Sequence, residues 1–446
     1  MSKTLLFLLG DCPGNYVPLM NALAERLFAE ECRIIVAATT PYYEEYTNVD
    51  FSKYGEVFYL SEFLAEFSAT EELKKVELDY WNVYPTYVRD HYFSGRHRND
   101  WDTYKKVVVF FNEIYKSQNI DLVISEPPSN SFLYIGYSQA QIEAVQFMGF
   151  MPARIPRHIN VFLDVYGQKL LINPVDIGSV EKLNLGPPDY MLPTSARLFK
   201  GLAPTRLWFY LRNIFVSSLE TGSTVTHQLK SVYKKHLWRR LRFLRVRMAR
   251  VFEQDVDSTD TINILFPLHY RPEASTSVLA RYYENDLELI KNIAFSMTSN
   301  SKLIVKEHAS ALGIRNLRFY RQVLSLPNTL LLAPEFNVAS NLSKFDAVIT
   351  LTSTVGFEAV QVGVPVFLLG NTFYANYSGV VKIDSYRQLE QILKNLSKNK
   401  AKPNAAIMRR YIKYCFPGQF SYMDDKVLQA SNITKLLVPI RELLAD

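Results

Sequence analysis

Three polar clusters in the second half of the chain each follow a short apolar run. They are Leu268-His269-Tyr270-Arg271-Pro272-Glu273-Ala274-Ser275, Lys306-Glu307-His308-Ala309, and Leu351-Thr352-Ser353-Thr354-Val355-Gly356-Phe357-Glu358-Ala359. The third opens a helix, whose unpaired N–H groups and positive dipole end favour a phosphate. Ser353 and Thr354 would add hydroxyl donors there, Gly356 would let backbone approach a ligand, and Glu358 would accept from ribose hydroxyls. Lys306 and Arg271 supply cations for a phosphate and for a sugar carboxylate, Arg271 in bidentate geometry. His308 is suited to donate to a leaving phosphate, and His269 lies in the same donor-binding stretch. Singly, each has an ordinary reading: Ser-Thr before a helix is an N-cap, a lone histidine is structural, and Glu273 is a first-turn acid. Their common position after strand-like runs is what points to one nucleotide-sugar site, because open parallel sheets bind ligands at strand carboxyl ends.

The elements that must position these residues alternate in type. In the second half, Ile262–Pro267, Lys302–Lys306, Thr329–Leu332, Ala347–Thr350 and Pro365–Leu369 read as strands. Helical segments at Ala274–Met297, Leu317–Leu324, Asn337–Ser343 and Gly356–Gln361 separate them. The first half opens in the same way, with strand Leu5–Leu9, a tight loop at 10–15, helix Val17–Glu30 and strand Arg33–Ala38. A further strand, Leu122–Ser125, ends on Glu126. Between them, about 62–117 forms a helical insertion whose tip, Arg89 to Arg98, is a candidate functional loop. Apolar runs of this length between helices suit parallel sheets covered on both faces. At 446 residues the chain exceeds the roughly 250–300 that one core supports. The expected fold class is α/β and GT-B-like, two Rossmann-like doubly wound domains facing across a cleft. The expected division is 1–252, a polar linker at 253–260, 261–425, and a C-terminal helix over 426–446.

Composition narrows the function classes. Hydrophobic residues make up 48% and charged residues 21%, which is ordinary for a globular chain. Cys12, Cys32 and Cys415 form no paired framework or metal spacing and suit a reducing cytoplasm. The first apolar run reads as a buried strand rather than a signal peptide, and no apolar stretch reaches transmembrane length. Much of the +6 formal charge falls between Lys230 and Arg250, where nine lysines and arginines occur with no acid. Apolar residues recur there at helical spacing, so 229–251 is a basic amphipathic helix. It can lie peripherally on the inner membrane or pack on its own domain; no nucleic-acid module accompanies it. There is no GxGxxG fingerprint and no GxxxxGK[ST] loop, which argues against dehydrogenase and P-loop chemistry.

The three clusters, followed by Gly363-Val364-Pro365-Val366, resemble the capsule polysaccharide biosynthesis family, which includes bacterial retaining β-Kdo transferases. The family pattern is a Q-x-x-[DE]-A-S-like segment, K-x-H-P, and a [ST]-x-x-G-x-E-A turn followed by G-x-P-V. The resemblance is specific over about Ile262–Tyr374. It implies transfer from a CMP-linked ulosonic acid, Kdo or a relative, by double displacement through a glycosyl–carboxylate adduct. The nucleophile then falls on Glu273, the cation and imidazole on Lys306 and His308, and the phosphate turn on Ser353, Thr354 and Gly356. A second carboxylate acts as acid/base, and Glu126 is the best match. Retention supports two such groups, since each face of the anomeric carbon is attacked in turn. No metal or cofactor is expected: Asp255-Val256-Asp257 lies in the linker, not at a strand end. The expected acceptor is an oligosaccharide or glycolipid, and the expected location is cytoplasmic. Three positions depart from the pattern: Ala309 for proline, His269 for glutamine, and Glu273 where aspartate is common. The competing readings are a UDP- or GDP-sugar transferase and a non-catalytic capsule assembly or export protein.

Overall fold

The structure is a computed structural model. It describes residues 3–10, 14–41, 47–68, 70–77, 83, 86, 101–175, 238–257, 261–271, 273–398, 402–422 and 424–445. The candidate loop at 89–98, Cys12 and the first half of the basic helix lie outside these residues. The chain forms two compact units. The first comprises Met1–Met191, Pro272–Val278 and Met408–Asp446; the second comprises Leu192–Arg271 and Leu279–Ile407.

The first unit is built on β1 (Thr4–Leu9), β2 (Arg33–Ala38), β3 (Val57–Tyr59), β4 (Leu122–Ser125), β5 (Gln146–Pro152) and β6 (His158–Phe162). The second carries β7 (Ile262–Pro267), β8 (Ser301–Lys306), β9 (Thr329–Leu332), β10 (Ala347–Thr350), β11 (Val366–Leu368) and β12 (Val380–Lys382). The chain then returns to the first sheet as β13 (Cys415–Pro417), antiparallel to β6.

The strand orders explain the architecture. The second sheet runs β12-β11-β10-β7-β8-β9, with every pairing parallel. The first runs β13-β6-β5-β4-β1-β2-β3, parallel except where β6 meets β5 and β13. In both, the chain starts centrally, winds out to one edge, and returns beside its first strand to wind the other way. That is the doubly wound order, and it leaves a topological switch point between β1 and β4 and another between β7 and β10. Every residue of β1 is buried, as is every residue of β4 and β10, which is why these strands read as unbroken apolar runs. Leu5, Phe7, Ile34, Ile124 and Met148 join one core of the first unit; Ile264, Phe266, Leu303, Val305 and Ile349 join that of the second.

Several expected boundaries move. The C-terminal helix, Ala430–Ala445, contributes Ile433, Leu436 and Ile440 to the first core, so the change of unit comes at Met408 rather than near 425. Glu253 donates to the Leu331 carbonyl and accepts from Ala333, fastening the start of the expected linker along β9. The described part of the basic helix, 238–248, belongs to the second unit rather than to an N-terminal domain. Ala274–Met297 is two helices, Ala274–Ser277 and Asp286–Phe295, the second capped by the Asn285 side chain. The insertion is helical at Leu60–Glu66, Thr70–Lys75 and Trp101–Ser117.

Candidate functional site

The three polar clusters follow β7, β8 and β10, which are neighbours in one sheet. Pro267 pairs with Lys306, so the β7 and β8 loops start level with one another. Leu268 to Arg271 of the first cluster and the third cluster flank the switch point of the second unit, where such sheets receive ligands.

Beneath the β7 and β8 loops lies a buried network of charges. Arg315 donates to the His269 carbonyl at 2.8 Å, to Glu307 at 2.8 Å and, through Nε, to Asp286 at 3.0 Å. Glu307 is fully buried and also accepts from the His308 backbone N–H at 2.6 Å and from the Tyr320 hydroxyl at 2.5 Å. Burial works against the Asp286 carboxylate, yet the Arg315 and Arg271 guanidiniums hold it below the usual range. One guanidinium thus ties the β7 loop to the β8 loop and fixes the backbone of His308.

Arg271 is turned into this network. Its Nε donates to Asp286 at 2.7 Å, one terminal nitrogen donates to Glu284 at 3.2 Å, and the other donates to the Tyr283 carbonyl. Its side chain is only 13% exposed and is held by protein carboxylates. His269 is buried and its Nε2 has no hydrogen-bond partner. Burial, aided by the Arg271 charge, pushes its pKa down to about 3, so the imidazole is neutral at ordinary pH.

The other sequence-chosen residues sit at the carboxyl edge of the sheet. Lys306 Nζ donates to the carbonyls of Glu307 and Pro334, each at 3.2 Å. His308 caps a short turn at Ala309–Ala311, its Nδ1 accepting from the Ser310 N–H at 3.2 Å. With Nδ1 accepting, a neutral imidazole carries its proton on Nε2, the tautomer that can donate outward. Ser353 caps the helix Thr354–Gln361 through Val355 N–H, while its own N–H donates to Thr350 Oγ1 at 3.0 Å. Glu358 is half-buried on that helix.

Packing gives Gly356 a reason of its own to be small. A Cβ there would lie 2.5 Å from the hydroxyl oxygen of Tyr374, a fully buried side chain whose hydroxyl donates to the Ser353 carbonyl. The glycine makes room for a tyrosine that pins the capping turn. Gly363 answers to backbone alone: its φ of +82° ends the helix, and Val364 N–H reaches the Ala359 carbonyl at 3.0 Å.

The two candidate carboxylates differ. Glu273 is exposed; it accepts from Ser275 Oγ at 2.7 Å, and its carbonyl receives the N–H groups of Thr276 and Ser277. Glu126 is 3% exposed, just beyond β4 at the switch point of the first unit. Sequence puts them in different domains, whereas Pro272–Val278 groups with the first unit, giving both acids to one compact body. Sequence reasoning missed Glu307, Asp286, Arg315, Tyr320 and Tyr374. Only the polarity of Glu307 between Lys306 and His308 offered a local signal, since the partners of the rest are distant in the chain.

Two doubly wound α/β units, one with polar loops beside its switch point, define a chain of the GT-B-like class. Residues 282–417 match the family described as "Capsule polysaccharide biosynthesis protein", and over that stretch the resemblance stated from sequence is borne out. The match includes the Lys306 and Ser353 clusters but begins after Glu273. Solved structures with a similar course include the β-Kdo 2,7 transferase of Thermosulfurimonas dismutans KpsC, at 15% identity and TM-score 0.33, over 75% of this chain and 96% of that one. The UDP-GlcNAc 2-epimerase of Methanocaldococcus jannaschii aligns at 13% identity and TM-score 0.26, over 92% and 98%. A glycosyltransferase of Rickettsia africae aligns at 11% identity and TM-score 0.30, over 99% of each chain. No functionally curated protein matches the sequence. Strand order, not these distant likenesses, carries the fold class.

Proposed function

We propose that this protein is a glycosyltransferase of capsule polysaccharide or glycolipid assembly, taking an ulosonic acid such as Kdo from its CMP-linked form. The observation that carries the reading is the placement of Lys306 and His308 at the carboxyl end of β8 and of the Ser353 turn at that of β10, the two strands that flank β7, beside a switch point. A phosphate there would meet the first N–H groups of the helix Thr354–Gln361 and the Lys306 ammonium. His308 would donate from Nε2 as the leaving phosphate gains charge. Arg271, held by Asp286 and Glu284, serves this reading by shaping the β7 loop rather than by binding donor.

Transfer would retain configuration. A Glu273 carboxylate oxygen attacks the anomeric carbon, the bond from that carbon to the phosphate oxygen breaks, and CMP departs. The acceptor hydroxyl, losing its proton to Glu126, then attacks the same carbon and displaces the Glu273 carboxylate. Exposure of Glu273 and the hydrogen bond from Ser275 that orients it favour the nucleophile role. The reading assigns no metal. Its place of action is the cytoplasm, which suits the free thiols of Cys32 and Cys415.

The test is intact-protein mass spectrometry of Glu126→Gln incubated with CMP-Kdo. The expected result is a covalent sugar adduct mapping to Glu273. Unmodified protein with donor demonstrably bound would overturn double displacement. Release of UDP or GDP, rather than CMP, from a donor panel would move the reading to the other transferase class. Failure to bind any nucleotide would leave a non-catalytic assembly or export protein.

A further inference from the structure

The helical segment 238–248 has two unlike apolar faces. One is consumed by the second unit: Phe243 and Val246 are buried in its core, Arg239 donates to the Ser310 carbonyl, and Arg242 donates to the Ile314 carbonyl at 3.1 Å. Gly313 makes this close approach possible, since a Cβ there would lie 2.7 Å from the Arg239 carbonyl oxygen. The helix is therefore fixed in rotation, and what it turns outward is set by the fold.

The outward face is apolar as well. Leu241, Leu244 and Met248 are 39%, 54% and 74% exposed, and Trp238 is 40% exposed. At 100° per residue these three aliphatic side chains lie within one narrow stripe opposite Phe243 and Val246. Arg240 and Arg247 follow one side of the stripe, Arg247 paired with Glu335 at 2.5 Å, and Arg245 follows the other; the segment from Lys230 to Arg250 itself carries no acid. A stripe of Leu and Met with a tryptophan, bordered by arginines, is the composition of a helix seated at the headgroup level of a bilayer. A solvated face would carry mixed charge instead.

We propose that the Trp238–Met248 stripe docks the second unit onto an anionic phospholipid surface. The apolar side chains enter the acyl boundary while the flanking arginines meet lipid phosphates. The charge complementarity selects the occupant: the one carboxylate the structure pairs with the bordering arginines, Glu335, is matched by Arg247 at 2.5 Å, and the helix itself brings arginines and no acid, which fits a negative surface. This inference stands apart from the proposed reaction, since it uses none of the candidate site residues.

Flotation of the full-length protein with vesicles tests it. Binding is expected to vesicles of phosphatidylcholine mixed with phosphatidylglycerol, and little to phosphatidylcholine alone. Leu244→Ser with Met248→Ser should weaken partitioning at least about tenfold with an unchanged melting temperature, because both side chains are already exposed. Arg245→Glu should weaken it at low salt, by a margin that shrinks as salt rises. Absence of flotation with anionic vesicles, or equal flotation of the serine variant, would overturn the proposal. So would light scattering that shows a wild-type dimer converted to monomer by the same two substitutions, which would make the stripe an interface between copies.

Discussion

Arg315 is the residue on which the β7 and β8 loops depend. It compensates the fully buried Glu307 and shares Asp286 with Arg271, so replacing it strands the Glu307 charge away from water. Arg315→Met should cost about 3–5 kcal/mol of stability in urea denaturation. His269 makes a separate prediction in acid. Its folded pKa of about 3 lies below the ordinary value of about 6.5, so between those values the unfolded chain binds the extra proton. Stability from this group is present above pH 6.5 and falls as pH drops, by about 1.4 kcal/mol per unit. His269→Gln should remove that slope between pH 6.5 and 4.5, which urea titrations at three pH values would show. An unaltered slope would mean the imidazole is protonated in the folded protein.

The helix Thr354–Gln361 shows how an element is aimed. Ser353 caps it, Tyr374 holds the capping carbonyl, and Gly356 leaves the gap through which the tyrosine reaches. Gly356→Ala should destabilise by about 1–3 kcal/mol through overpacking. Tyr374→Phe alone should cost about 1 kcal/mol for the lost hydrogen bond. In the double variant the two costs should fall short of their sum, because the hydroxyl oxygen is the atom nearest the added methyl. Strict additivity in a double-mutant cycle would show that the two side chains do not meet. Should the turn bind the donor phosphate, Gly356→Ala would also raise the donor KM.

At the scale of the molecule, the chain's return to its first sheet is the decisive feature. Residues after Ile407 bring β13 and the helix Ala430–Ala445, and with them Phe416, Leu436 and Ile440 of the first core. Truncation after Ile407 should therefore unravel the first unit while leaving the second sheet intact. Limited proteolysis with mass mapping should recover protected fragments from about 261–398 and few from 3–175. Equal protection of both would show that the C-terminal segment is dispensable.

The parts legible from sequence share a physical character. Strands β1, β2, β4, β7, β8, β9, β10 and β11 were readable because buried parallel strands are runs of apolar residues bounded by polar turns. The polar residues ending β7, β8 and β10 were visible for the same reason, so the candidate site could be assembled before any coordinate. Strands β3, β12 and β13 are three residues each, and their existence depends on a partner elsewhere in the chain. The same holds for side chains. Sequence determined that Arg271, Glu307 and Gly356 were present, whereas tertiary structure alone decided that Arg271 faces Asp286, Glu307 faces Arg315, and Gly356 faces Tyr374. Local pattern sets which elements form; contacts between distant residues set what each side chain is left able to do.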